Sequence, residues 1–305
     1  MRKLTEQEIK DIIRLYTEEK MSISKLRPLF KLQFEDIKQV LIDNGIQPRS
    51  HRDSRKIYDY DESYFSRIDT PDKAYWLGFI YADGFITKRA NGSPVFGITL
   101  AESEPLEKIK KAMKSNKPIG MYKKTNSYSN KSIEYKLAFC SKQLVEDLEK
   151  WGCVENKTFK LKFPDFLNEN LIPHFIRGYF DGDGSVYLHT QKTNGKEYIM
   201  LGSQFSGIKS FLEEMIKHFN FLHDDEKCLY QDTRKETDCW RIQLNSNLRT
   251  LKLYHYMYKD CPENICLSRK RKKFEDFIKD RGSTTIITDP IYGNAEYKNL
   301  CYLED

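Results

Sequence analysis

A ten-residue stretch that the chain uses twice constrains its fold more than any other feature. It runs Tyr75-Trp-Leu-Gly-Phe-Ile-Tyr-Ala-Asp-Gly84 and again Phe175-Ile-Arg-Gly-Tyr-Phe-Asp-Gly-Asp-Gly184. Each copy has the pattern of the last turns of an apolar helix. Small residues stand four apart (Gly78 and Ala82; Gly178 and Gly182), followed by an Asp and a Gly suited to a left-handed C-cap. Small residues at that spacing share one helix face, so two such helices can approach more closely than the usual ~8–10 Å. Packed together, the copies would set Asp83 and Asp183 side by side at helix C-termini, where the macrodipole disfavours carboxylates. A divalent cation would relieve that conflict: carboxylates and free helix-end carbonyls, here those of Ala82 and Gly182, are hard oxygen ligands suited to Mg2+. Such a cation can activate water for phosphodiester hydrolysis. The plainer alternative is two ordinary helix ends with Asp-Gly turns.

The two stretches resemble the paired dodecapeptide motifs of the LAGLIDADG homing endonucleases, single-chain type. The resemblance implies that Asp83 and Asp183 bind catalytic metal, Mg2+ with Mn2+ able to substitute. It also implies a double-stranded DNA partner with a long asymmetric site, cleaved by a monomer. Trp76, Tyr81, Arg177 and Gly182 depart from the name sequence of the motif, while both acids are intact.

The segments behind the two motifs repeat as well. Behind Asp83 come Phe85 to Thr87, an Asn91-Gly92 turn and Val95 to Leu100; behind Asp183 come Ser185 to Leu188, an Asn194-Gly195 turn and Tyr198 to Leu201. Asn-Gly between strand-like runs is a strong hairpin signal. Each half continues with an amphipathic helix (about 105–115; 208–219), further strand (135–139; 240–244) and a helix (142–151; 248–258). The order αββαββα, twice, predicts an α+β fold. By the resemblance, two LAGLIDADG half-domains (70–164 and 165–280) related by a pseudo-twofold axis form an antiparallel saddle sheet over DNA. The hairpins carry Lys88, Arg89, Lys123, Lys124, Lys131 and Lys136 in the first half and His189, Gln191, Lys192, Arg234 and Arg241 in the second. Such side chains read base edges or bind phosphate, although a merely solvated sheet face would also be basic and polar. The family further implies a lysine late in each half-domain that polarises the metal-bound water or the scissile phosphate. The matching positions are Lys157 and Lys270, with Lys136 and Arg241 as rivals.

Residues 1–46 read as three short helices. Thr5 and Glu8 make a capping box ahead of Ile9, Ile12, Ile13 and Tyr16. A second helix begins near Ser22, and a third runs from about Phe34 to Asn44, stopped by Gly45. The arrangement resembles a helix-turn-helix DNA-binding domain, with Lys38 and Gln39 exposed on the reading helix. Against it stand a turn at Lys31-Leu32 without glycine and the acids Glu35 and Asp36 at the start of that helix; a plain helical cap is the alternative. Residues 47–69 form a linker. Its basic part, with Arg49 and Arg52, either tracks along the phosphate backbone or is simply solvated. Residues 281–305 lack periodicity and read as a tail.

Composition fits this reading without proving it. A net charge of +6 over 305 residues suits a polyanion partner. Seven Cys without a CxxC pair argue against a disulfide framework or zinc ribbon. No apolar run long enough to span a membrane and no signal peptide is present, so a cytoplasmic protein is expected; the resemblance implies a bacterial or phage-infected cell. The chain starts with Met and lacks terminal splice residues, so a free-standing or intron-borne gene of a mobile element is expected. The rival functions are a non-cleaving transcriptional regulator on the same scaffold and an RNA-binding intron maturase.

Overall fold

In the computed structural model the described residues are 4–49, 58–89, 92–123, 133–155, 160–222, 227–233, 239–262 and 265–281. They divide into two compact units, one of residues 1–60 with 115–117, the other of the remainder.

The first unit packs α1 (Glu6–Thr17), α2 (Ile23–Phe30) and α3 (Phe34–Asp43) around Ile12, Leu26, Ile37 and Leu41. The capping box forms as expected, with the Thr5 hydroxyl and the Glu8 carboxylate each accepting the other's backbone N–H. Lys31 itself takes the left-handed conformation (φ 53°) that a glycine would occupy more cheaply between α2 and α3. Asp36 accepts the backbone N–H of Gln33 at 3.3 Å, so one of the two acids at the start of α3 caps its own helix. Gly45 comes after α3 with φ +73°.

The second unit holds the repeat. Helix α4 (Pro71–Asp83), β1 (Gly84–Lys88), β2 (Pro94–Leu100), α5 (Glu104–Ala112), β3 (Gly120–Lys123), β4 (Ile133–Phe139) and α6 (Lys142–Lys150) form one half. The other is α7 (Ile172–Asp183), β5 (Gly184–Thr193), β6 (Lys196–Gly207), α8 (Lys209–Lys217), β7 (Leu229–Gln231), β8 (Trp240–Leu244) and α9 (Asn247–Tyr258). Both sheets are antiparallel, ordered β1-β2-β4-β3 and β5-β6-β8-β7. Asn194 and Gly195 both have positive φ (51° and 74°), the backbone that a two-residue turn between β5 and β6 demands. Asn91 lies outside the described residues. Thr70 caps α4 and Pro71 opens it, as expected.

Helices α4 and α7 pack on each other through their glycines. A Cβ placed on Gly78 would run into the Phe175 carbonyl, and one on Gly178 into that of Tyr75. Around this contact Tyr75, Trp76, Phe79, Phe175 and Tyr179 are almost wholly buried. One expectation is corrected here. Gly84 and Gly184 are not left-handed caps: their backbones are extended (φ −73° and −89°), and each is the first residue of a strand. Glycine is needed there for space. A side chain would press on the Ile80 carbonyl at 2.7 Å or the Phe180 carbonyl at 2.6 Å, because the chain turns from helix to strand without a loop.

A further helix, α10 (Ser268–Arg281), closes the unit. Phe274 and Phe277 are buried on it, Phe274 against Phe180 and Tyr254. Its start is tied to the other half, Arg269 pairing with Glu102 at 2.8 Å and Lys108 donating to the carbonyl of Cys266, two residues before the helix, at 2.7 Å.

Candidate functional site

Asp83 and Asp183 end the paired helices. The Asp83 Oδ2 lies 3.1 Å from the point that a Cβ on Gly182 would occupy, and the Ala82 methyl already crowds that point. The last turns of the two motifs therefore pack closely enough at residues 82 and 182 that any residue larger than glycine at 182 would push the two helix ends apart. Asp83 is partly buried and Asp183 exposed. Both carboxylates bear on the same neighbours: they add to the burial that holds the Tyr179 phenol well above its usual range, and both oppose the burial that lowers the Lys270 ammonium to about 8. Among the described residues no cluster of three or more His, Cys, Asp or Glu could hold a metal. A cation here would have two carboxylates, the main-chain carbonyls of Ala82 and Gly182, and water. That is a hard oxygen set, which fits Mg2+ or Mn2+.

Lys270 comes to this site from α10 rather than from a loop. It is buried (4% exposed), and its Nζ donates to the carbonyls of Phe180, Asp181 and Gly184 at 2.7, 2.7 and 2.5 Å, with that of Gly182 at 3.4 Å. Its direct partner is thus the C-terminus of α7, whose orphan carbonyls and dipole it satisfies. Lys157 lies outside the described residues, as do Arg52, Lys124, Lys131 and Arg234.

Sequence reasoning missed Asp181. It is fully enclosed, and its Oδ2 accepts the Leu267 N–H at 2.6 Å and the Tyr75 hydroxyl at 2.8 Å, while Oδ1 has no hydrogen bond. Burial raises its carboxyl above the usual range, against the opposing pull of Lys270. Next to it Arg177, also buried, donates to the carbonyls of Ile265 (2.9 Å) and Met257 (2.7 Å) and reaches His174 Nδ1 at 2.9 Å. Burial and then Arg177 lower His174 to about 4, so the folded chain holds it neutral. At about 1.4 kcal/mol per pKa unit, stability should be unaffected above the unfolded pKa of about 6.5 and fall by roughly 2–3 kcal/mol as pH drops from there to about 4, where the unfolded chain binds a proton that the folded one refuses. In His174→Phe, melting temperatures over that window should show a flatter acid limb; an identical limb would assign the loss to other groups.

Register settles which hairpin residues share a face, since directly paired residues point the same way and neighbours alternate. In the second sheet the side opposite the buried Val186, Leu201 and Phe205 carries Ser185, Tyr187, His189, Gln191, Gln204, Arg241 and Gln243, with Ser185, Gln204 and Gln243 in one row. His189, Gln191, Tyr230, Gln243 and Arg249 line a concavity of about 600 Å3 on it. In the first sheet the corresponding side carries Phe85, Thr87, Thr99 and Lys136, whose ammonium sits 4.8 Å over the Phe85 ring. The same rule places three of the expected DNA contacts on the other side. Lys88, Lys123 and Lys192 fall on the opposite parity, the side of Ile86, Leu137 and Val186, and Lys192 pairs with Glu197 at 2.8 Å. Arg89 sits at the turn after β1, its N–H donating to the Ser93 carbonyl at 2.9 Å. Arg241 lies 3.7 Å from Asp232.

In the first unit, Lys38 lies 3.5 Å from Glu35 and Gln39 donates to Asp43 at 2.7 Å, both on the outer side of α3. Arg49 departs from expectation. Its guanidinium stacks 4.2 Å from the Tyr16 ring centroid and donates to the carbonyls of Lys20, Tyr16 and Met21, so it fastens the chain after α3 to α1.

Two half-domains of identical element order, joined through glycine-packed helices with an acid at each end, define a duplicated α+β domain. Residues 171–279 match the family model of the LAGLIDADG-like domain, and residues 71–150 repeat the order of elements found there. Among solved structures the chain is similar to the meganuclease I-AabMI bound to uncleaved DNA (TM-score 0.47, 14% identity, 78% of this chain and 99% of that one). It is also similar to the homing endonuclease I-WcaI bound to its DNA recognition sequence (TM-score 0.48, 16% identity, 75% and 95%). Among curated proteins it is 25% identical over 214 residues to the replication factor C small subunit of Methanocaldococcus jannaschii, which aligns with 68% of this chain. The chain spans only 10% of that relative's length.

Proposed function

We propose that the protein is a site-specific double-strand DNA endonuclease of the homing type, dependent on Mg2+. The observation that carries this reading is the placement of Asp83 and Asp183 at the ends of α4 and α7, whose last turns glycine lets pack closely together. The cation held there would supply a water of lowered pKa and Lewis-acid stabilisation of the displaced oxygen. Asp83, Asp183 and the carbonyls of Ala82 and Gly182 would hold it. The chain's own contribution is to fix these oxygens before substrate arrives, with Lys270 holding the end of α7 and lending positive charge beside the developing anion. The outward sheet faces, rich in Gln, His, Tyr and Thr with Lys136 and Arg241, would lie on the grooves of the duplex; amide and imidazole groups suit base edges more than phosphate. In this reading the protein works as a monomer on a long asymmetric site, within a bacterial or phage-infected cell, and serves a mobile element. Among the described residues no helix is long and apolar enough to cross a membrane.

The first experiment is cleavage of a randomised DNA library by the full chain with Mg2+ or with chelator. Cutting at one long site only with the metal is the expected result. Tight specific binding without cutting would leave a DNA-binding regulator instead.

The three-helix unit is proposed as a helix-turn-helix module that lengthens the footprint, with α3 as reader. Deleting residues 1–56 should lower the slope of log affinity against log salt by about one for every phosphate contact removed. An unchanged slope would make the unit a helical cap.

A further inference from the structure

Position 181 is duplicated at Tyr81, and the two halves use it differently. In the first half a neutral phenol donates to the Trp151 carbonyl just past α6. In the second half a carboxylate is buried with one oxygen unpartnered. Leaving a buried polar atom without a hydrogen bond is costly, and the first half shows that a motif helix can end without it. The charge at 181 is therefore placed for something other than folding.

Its surroundings say what. Asp181 accepts the N–H of Leu267, at the entrance to α10, while Lys270 from the first turn of α10 returns to the carbonyls of the last turn of α7. An acid from one helix sits at the N-terminus of the other, and a cation from the second sits at the C-terminus of the first, so both dipoles are matched in one reciprocal clamp. Tyr75 of α4 donates to the same Asp181 oxygen, which ties the other motif helix into it. We propose that Asp181 and Lys270 are positioning residues for the metal-binding end of α7: by clamping α10 to it they fix where the Gly182 carbonyl and the Asp183 carboxylate stand. Helix α10 is then part of the nuclease centre rather than an appendage.

This rests on the nuclease reading, and the test separates the two. The affinity of the full chain for Mn2+ is read from the electron paramagnetic resonance signal of the free ion, and the metal-free melting temperature is measured alongside. Asp183→Asn should abolish the Mn2+ site. Asp181→Asn and, independently, Lys270→Met should weaken it roughly 10–100-fold, the range seen when groups that orient a metal ligand are removed. Leu106→Ala, in the core of the first half, should lower the melting temperature and leave Mn2+ affinity unchanged. Mn2+ affinity within three-fold of wild type in the folded Asp181 and Lys270 variants would overturn the clamp and leave the nuclease reading standing, as would an equal loss in the Leu106 control. A wild type whose Mn2+ binding survives Asp183→Asn would overturn both.

Discussion

Asp83→Asn and Asp183→Asn should each reduce DNA cleavage by on the order of 10³-fold or more while leaving specific binding within a few-fold of wild type. The carboxamide keeps the shape of the carboxylate and one oxygen, so the helix ends and the sheets beyond them stay in place. What it loses is the negative charge that makes a divalent cation favourable beside two helix C-termini. Because the two acids come from the ends of one helix pair and Asp83 Oδ2 borders on Gly182, each substitution should affect the shared centre. Loss of cutting on one strand only would mean two independent sites. Retention of cutting within ten-fold in either variant, measured on the selected site under single-turnover conditions, would remove that acid from the mechanism.

Gly78→Ala and Gly178→Ala should each destabilise the second unit by about 3 kcal/mol, the upper end of the usual overpacking range. Propensity alone gives the opposite sign, since alanine in a helix interior is favoured over glycine by about 1 kcal/mol. Sterics decide it. The added methyl on Gly78 would meet the Phe175 carbonyl and, at 2.9 Å, the Tyr179 nitrogen; that on Gly178 would meet the Tyr75 carbonyl and, at 2.9 Å, the Phe79 nitrogen. These are backbone atoms inside helices and cannot rotate away, so α4 and α7 would have to part and loosen the aromatic shell around them. Gly45→Ala is the control. Nothing lies within 4 Å of its Cβ position, and only its φ of +73° is strained, at about 1–2 kcal/mol. Chemical denaturation that ranks Gly45→Ala as the most damaging of the three would refute the close-packed seam.

Much of the fold was legible because the duplicated stretch carries its information in small residues, whose spacing states which face is shared. The Asn194-Gly195 turn and the cap at Thr70-Pro71 were readable for similar reasons, each residue being chosen for its own backbone. Helix α10 was not. Its inward positions are Lys270, Phe274 and Phe277, with Leu267 just ahead of it, a helical spacing that emerges only once a lysine is accepted as a buried residue, and burial of Lys270 depends on carbonyls far away in sequence. Asp181 was hidden likewise, as one more acid in a motif already rich in them. On the sheets, His189 and Gln191 were named from the sequence beside Lys88, Lys123 and Lys192, but composition alone did not divide the two faces; alternation from the motif aspartates does, and adds Tyr187 to the side of His189 and Gln191. The extended conformation of Gly84 and Gly184 could not be inferred, because a left-handed cap and a loopless corner both select glycine.

That corner has a consequence for fidelity. Each acid is joined to the first strand of its sheet without an intervening residue, so helix end and hairpin form one stiff lever with the carboxylate at its fulcrum. In the proposed nuclease, a duplex that seats poorly and lifts the hairpin tip would transmit the error to the metal-binding oxygens, where a displacement of about 1 Å can cost 10²-fold in rate. Mismatched sites would then be bound more readily than they are cut, and proofreading would reside in the rigidity of the chain rather than in a separate checking step.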